Sequence, residues 1–196
     1  MDFELIDKTA DTQFKELERR IWRLQSGGTI DSLKTIGAET SHQIGASFVS
    51  LKQLATRYTP NEQLAKLLWN TGKREQQIVA CFLLPMDINK EKITQLFHNC
   101  LNMEVAGYLG SVYLYKHPHL VELAEELLSS GLALQQVASL TALAKHLIIN
   151  KKNSLFSKEY FAEILNREYN DKFVRLTAER YRINVKRKLL NTTKLF

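Results

Sequence analysis

Residues 61–87 read NEQLAKLLWNTGKREQQIVACFLLPMD, and this stretch constrains the fold more than any other. Leu64, Leu67 and Leu68 recur at helical spacing, so the first half predicts an amphipathic helix with one apolar stripe. Asn70-Thr71-Gly72 supplies the break, because glycine tolerates the left-handed backbone that ends helices. The second half opens polar with Lys73, Arg74, Glu75, Gln76 and Gln77. It then becomes apolar almost all round from Ile78 to Leu84 before Pro85 closes it. Neither helix can bury its apolar surface alone. The chain must therefore supply further helical pairs to stack on both sides, which is the logic of an α-solenoid.

The remaining sequence supplies them. Residues 8–25 predict an amphipathic helix with Phe14, Leu17, Ile21, Trp22 and Leu24 inward, stopped by Ser26-Gly27-Gly28. Thr29 is placed to cap a second helix with Ile30, Leu33 and Ile36 inward and Gly37 near its end. After a break at Gly45, Ser47 caps a helix carrying Phe48, Leu51, Leu54, Ala55 and Tyr58, closed by Pro60. Beyond Pro85, Asn89 starts a helix, Asn102 opens a long apolar segment over residues 103–115, and residues 120–128 are amphipathic. Residues 132–149 are again nearly all apolar. Ser157 and Asp171 cap the last two helices, of which the final one carries Phe173, Val174, Leu176, Ala178, Tyr181, Ile183 and Val185. The expectation is an all-α array of about eleven helices in HEAT-like antiparallel pairs, an armadillo-type superhelix forming one domain over residues 1–196.

Charge is informative once located. Eight of the 27 basic residues but only two of the 21 acidic ones lie at residues 171–196, a net of +6, so the rest of the chain balances. Two readings stay open for this segment: a contact surface for a polyanion, nucleic acid first, or a solvated terminal helix. No apolar run is long enough for a membrane span, and the acidic N-terminus does not have the form of a signal peptide. Cys81 and Cys100 both fall within helical patterns, which suggests apolar filling in a reduced, cytoplasmic protein.

Motifs for chemistry are sparse. The chain carries no Gly-rich phosphate loop, no CxxC and no HExxH. His117-Pro118-His119 places two imidazoles in a turn without a third or fourth ligand, so no metal is expected. Cys81 sits mid-helix in an apolar run, where a thiolate is disfavoured. Trp69, Tyr108, Tyr113 and Tyr115, with Lys73, Arg74 and the C-terminal cations, either line a nucleic-acid track or pack helices.

Three marks in order carry a family resemblance. They are Lys34-Thr35-Ile36-Gly37; Gly45 with Ser47 and residues 51–55; and residues 62–69 followed by Arg74-Glu75 and the buried run 78–84. Residues 28–87 thereby resemble the N-terminal half of the DNA alkylation repair proteins, the AlkD-like HEAT-repeat glycosylases, and the match stays collinear to about Arg182. The resemblance implies a curved stack of helical pairs holding duplex DNA in a basic concave groove. Active members excise N3- or N7-alkylated purines without flipping the base. They use a Trp followed four residues later by an Asp at the start of a central helix, an Arg on the next inner helix, and a Trp near the C-terminus. A cationic nucleotide and an oxocarbenium-like sugar are stabilised by such carboxylate and aromatic groups.

Carried over by position, Met103 stands for the first Trp and Gly107 for the Asp. Gln136, or Gln135, stands for the Arg, and Arg180 for the last Trp. Glu104 lies three residues before Gly107 on roughly the same face. It is either a displaced carboxylate or a first-turn acid favoured by the helix dipole. The reading is a DNA-binding HEAT-repeat protein without base excision, contacting duplex or structured DNA through Lys73, Arg74, Arg175, Arg180, Arg182, Lys186 and Arg187. An active glycosylase with a rearranged site and a solenoid that binds a protein partner are the alternatives. No cofactor is implied.

Overall fold

The computed structural model describes residues 8–35, 39–150 and 152–192, with the side chains of residues 8, 33 and 184–192 outside the description. Ile36, Gly37 and the side chains of Leu33, Lys186 and Arg187 therefore fall outside it. The described residues form eleven α-helices and no strand. Two compact units divide the chain, Met1–Leu101 and Asn102–Phe196. Among the described residues no helix is long and apolar enough to cross a membrane.

The first unit holds α1 (Lys8–Trp22), α2 (Gly27–Thr35), α3 (Phe48–Ala55), α4 (Glu62–Asn70), α5 (Arg74–Leu83) and α6 (Lys90–Leu96), the last followed by a 3-10 turn at Phe97–Asn99. Helix α5 packs on α3 and α4, and α1 packs on α4. The stripe read from the sequence closes this core: Leu64, Leu68, Ile78 and Leu83 are fully buried with Leu17, Ile21 and Leu51. The second unit holds α7 (Met103–Tyr108), α8 (Leu120–Ser129), α9 (Ala133–Ile149), α10 (Lys158–Asn166) and α11 (Lys172–Thr192). Helix α9 is its axis, packed by α7, α8, α10 and α11. Both α5 and α9 are buried around most of their circumference, as their near-continuous apolar runs require.

Helix starts follow the caps. The side-chain oxygens of Ser47, Asn61, Asn89, Asn102 and Ser157 each accept the backbone N–H three residues on, at 2.9–3.1 Å. Asp171 Oδ1 accepts from the N–H groups of Phe173 and Val174, at 2.7 and 3.1 Å.

Four expectations change. Helix α2 begins at Gly27, not after Gly28, because Ser26 rather than Thr29 supplies the capping hydroxyl, 3.4 Å from Thr29 N. Trp22 is 61% exposed, since Leu17 and Ile21 already fill the inner face and the next position turns away from it. On α11 only Val174 and Ala178 are fully inward among the described side chains, while Phe173, Leu176 and Ile183 face solvent.

The apolar segment 103–115 is not one regular helix. It passes from α7 through a π turn at Leu109–Tyr113 into a 3-10 turn at Leu114–Lys116. At the π turn the backbone of α9 comes so close that a Cβ on Gly110 would lie 2.2 Å from the Ala138 carbonyl oxygen. Gly107, one turn earlier, has nothing within 4 Å of its Cβ position.

In the second unit Arg167 donates to both oxygens of Glu125, at 2.8 and 3.0 Å, and Tyr160 Oη donates to Oε1 at 2.6 Å, tying α10 and the residue after it to α8. Arg167 and then Tyr160 hold the Glu125 carboxyl below the usual carboxylate range.

Two predictions follow from this packing. Gly110→Ala should lower unfolding free energy by about 1–3 kcal/mol through overpacking, whereas Gly107→Ala should be neutral or stabilise by up to about 1 kcal/mol, both read by urea denaturation. Because the folded Glu125 pKa is depressed, its contribution is complete above the ordinary carboxylate pKa and is lost as pH falls through the folded value. Glu125→Gln should therefore flatten the melting-temperature profile between about pH 5 and pH 3, by about 1 kcal/mol at most for so exposed a pair.

Candidate nucleic-acid interface

The corners that lead into α5 and α9 are built alike. Gly72 and Gly131 both adopt positive φ, 64° and 72°, after the preceding helix. Thr71 Oγ1 donates to the Leu68 carbonyl and Ser130 Oγ to the Leu127 carbonyl, each at 2.8 Å. These hydroxyls then accept the N–H groups of Lys73 and Leu132, at 3.3 and 3.1 Å. One turn into each following helix a glutamine reaches back eight residues. Gln77 Nε2 donates to the Trp69 carbonyl at 2.9 Å, and Gln136 Nε2 to the Leu128 carbonyl at 3.0 Å. Each reaches a carbonyl at the end of the preceding helix, where intrahelical donors run out; the Trp69 carbonyl also accepts the Gly72 N–H at 3.3 Å. Gln77 does more: Nε2 also donates to the Asn99 carbonyl at 2.6 Å, and Oε1 accepts the Leu101 N–H at 3.0 Å. Gln136, at the position where the resemblance expects an arginine, is thus the counterpart of a structural glutamine in the other unit. Gln135 beside it is buried.

The predicted contact residues divide by what their donors already serve. Arg74 is a brace. Its Nη1 donates to the Ala46 carbonyl and to Glu75 Oε1, both at 3.1 Å, with the side chain only 13% exposed. Glu75, fully buried, also accepts the N–H groups of Ile44 and Ala46, at 3.2 and 3.3 Å. Lys73, just before α5, is exposed. On α11, Arg175 donates to the Tyr169 and Asn170 carbonyls, and Arg182 to Glu179 and the Leu165 carbonyl. Arg180 is exposed. Of the predicted contact residues, Lys73 and Arg180 are exposed, whereas Arg74, Arg175 and Arg182 donate to backbone carbonyls.

At the mapped catalytic positions, Met103 is half-buried at the start of α7 and Glu104 is exposed in its first turn. Gly107 is half-buried, and a Cβ placed on it would meet nothing within 4 Å. The aromatic candidates also divide. Trp69 is buried with Nε1 donating to the Leu96 carbonyl at 2.8 Å, and Tyr113 is buried in the second unit, so both pack helices. Tyr108 and Tyr115 are half-buried; burial raises the Tyr115 pKa, and Lys116 Nζ lies 5.3 Å from its ring centre.

The remaining reactive groups serve structure. Burial pushes the Cys81 thiol well up, and Sγ donates to the Gln77 carbonyl. His117 Nδ1 accepts the His119 N–H at 3.2 Å. His146 Nδ1 lies 2.9 Å from the Tyr115 carbonyl while Nε2 accepts the Leu155 N–H. Among the described residues no three His, Cys, Asp or Glu side chains are grouped to hold a metal ion.

Counting charge by segment conceals a second cationic surface, in the first unit. Arg19, Arg23 and Lys73 line one hollow there with the exposed Trp22, and Arg20, Arg23 and Arg57 line another. The run Arg19-Arg20-Ile21-Trp22-Arg23 is the signal that would have found it.

A solved structure described as "A new family of proteins related to the HEAT-like repeat DNA glycosylases with affinity for branched DNA structures" is similar to this chain, with a TM-score of 0.72. The similarity covers 86% of this chain and 73% of that one at 17% sequence identity. No family model and no curated protein matches the sequence. At that identity the likeness speaks to the fold, and the fold is a HEAT-like repeat.

The corner geometry makes a graded prediction. Gln77→Leu strands two backbone groups, the Asn99 carbonyl and the Leu101 N–H, and weakens a third, so it should cost about 2–4 kcal/mol, whereas Gln136→Leu strands one and should cost about 1–2 kcal/mol. Urea midpoints at constant m value measure the difference.

Proposed function

We propose that this chain is a DNA-binding HEAT-like repeat protein that acts without excising bases. The observation that carries the binding half is the fold: the similar solved structure belongs to proteins with affinity for branched DNA. The sequence resemblance to alkylation repair proteins points the same way, as do the solvent-facing Lys73 and Arg180 and the basic α11. Duplex or branched DNA is the ligand class, with Lys73, Arg180, Lys186 and Arg187 as phosphate contacts. Arg74, Arg175 and Arg182 support the backbone beside them. The two cysteines, free and buried, suit a reduced cytoplasmic setting.

The second half rests on Gly107. Excision in the resembling glycosylases needs a carboxylate beside the developing sugar cation, and this position has none although a Cβ there would meet nothing within 4 Å. Glu104, in an exposed first turn, has no desolvated setting in which its charge would be worth much to a transition state.

A protein partner is the second reading, favoured by one observation. Phe173, Leu176 and Ile183 recur along one side of α11 and are all exposed.

Binding and chemistry should separate in one preparation. Fluorescence anisotropy with duplex and four-way-junction DNA should show binding that weakens steeply with salt. The same samples should release no 7-methylguanine or 3-methyladenine above the spontaneous rate. Base release abolished by Glu104→Gln would establish the glycosylase instead. Failure to bind any DNA at low salt would leave the protein-partner reading.

A further inference from the structure

Among the described residues the first unit carries one large aromatic that the core does not use. Trp22 is the last residue of α1 and is 61% exposed, while Trp69, the other tryptophan, is 1% exposed and hydrogen-bonded through its indole N–H. Trp22 stands at the wall of a hollow of about 570 Å³. Arg19 on α1 and Arg23 in the turn just after it flank Trp22, and Lys73 reaches the same hollow from the corner before α5. Arg23 also lines a second hollow, of about 470 Å³, with Arg20 and Arg57.

The charges around the indole are unequal. Two carboxylates line its hollow. Glu75 is already committed to Arg74 and to two backbone N–H groups, which leaves Glu18 against Arg19, Arg23 and Lys73. Arg23 and Lys73 hold no acidic partner among the described residues, whereas Arg20 is paired with Glu16. An exposed π-face ringed by unspent cations combines the two elements that bind single-stranded nucleic acid. A base stacks on the ring while the neighbouring phosphates meet the cations. An acidic peptide would use the cations and leave the indole idle.

We propose that Trp22, with Arg19, Arg23 and Lys73, forms a stacking site for an unpaired base, such as a branched DNA exposes where its strands part. The inference rests on the DNA-binding reading and names the part of the DNA that this unit engages.

The test uses the full chain, a twelve-residue thymidylate strand, and a matched strand whose sugars carry no bases. Thymidylate binding should quench the exposed, iodide-accessible tryptophan emission and leave the Trp69 emission in place. Trp22→Ala should weaken thymidylate binding roughly tenfold or more, and Trp22→Phe should retain most of it. Duplex affinity should change little in either variant. Arg23→Gln and Lys73→Gln should each lower the slope of log affinity against log salt by about one. Because Trp22 is exposed, both tryptophan variants should keep the wild-type circular dichroism spectrum, which checks that they fold. If the chain binds DNA but takes the base-free strand equally well, or Trp22→Ala binds thymidylate like the wild type, the stacking site is overturned while DNA binding stands. If a polyglutamate peptide displaces the strand and is itself weakened by Trp22→Ala, the site belongs to an acidic protein and the inference fails. No binding to any DNA overturns the parent reading and this inference together.

Discussion

Everything in this structure depends on burying two helices, α5 and α9, around nearly their whole circumference. A helix so placed cannot turn its polar ends to water. Each is entered through a tight corner at which the carbonyl groups ending the preceding helix run out of intrahelical donors. The answer in both units is a short hydroxyl in the corner and a glutamine one turn in. Gln77 and Gln136 close the exposed end of the previous helix from within the next one. Removing Gln136 strands the Leu128 carbonyl and removing Gln77 strands the Asn99 carbonyl and the Leu101 N–H, which makes these polar side chains as necessary to the core as the leucines around them.

That requirement bears on function. In the resembling glycosylases the start of the inner helix is where the chemistry is done. In this chain the corresponding positions hold a methionine, a glycine and a glutamine, and the glutamine serves the corner. Gly110 holds the neighbouring backbone in a contact that no side chain would permit, while Gly107 has open space. Crowding of a Cβ therefore does not account for the glycine at position 107, and under the proposed function what the scaffold offers is surface. Among the described side chains, that surface presents exposed cations in both units and one exposed indole in the first.

Much of the architecture was legible in the sequence because it follows from short-range rules. Ser47, Asn89, Asn102, Ser157 and Asp171 announced their helices, and Gly72 announced its corner. What escaped was set by tertiary contact. The π turn at Leu109–Tyr113 accompanies the close approach of α9 to Gly110, which periodicity does not report. Trp22 reads as a core residue from its type and spacing, yet its neighbours Leu17 and Ile21 leave it no inward place. Arg74 reads as a free cation and proves to be a brace, because its buried neighbour Glu75 needs a counter-charge. The candidate interface was legible only as charge: the basic C-terminal run showed in the totals, but the Arg19–Arg23 cluster was balanced by acids elsewhere in the chain.

As proposed, this HEAT-like scaffold meets DNA through exposed cations and the Trp22 indole. Photo-crosslinking to a four-way junction carrying 5-bromouracil near its branch, with the joined peptides identified by mass spectrometry, tests it most directly. Crosslinks are expected within residues 19–23 and at Lys73, with a further set on α11. Crosslinks confined to other surfaces, or none under conditions where the junction is bound, would contradict it.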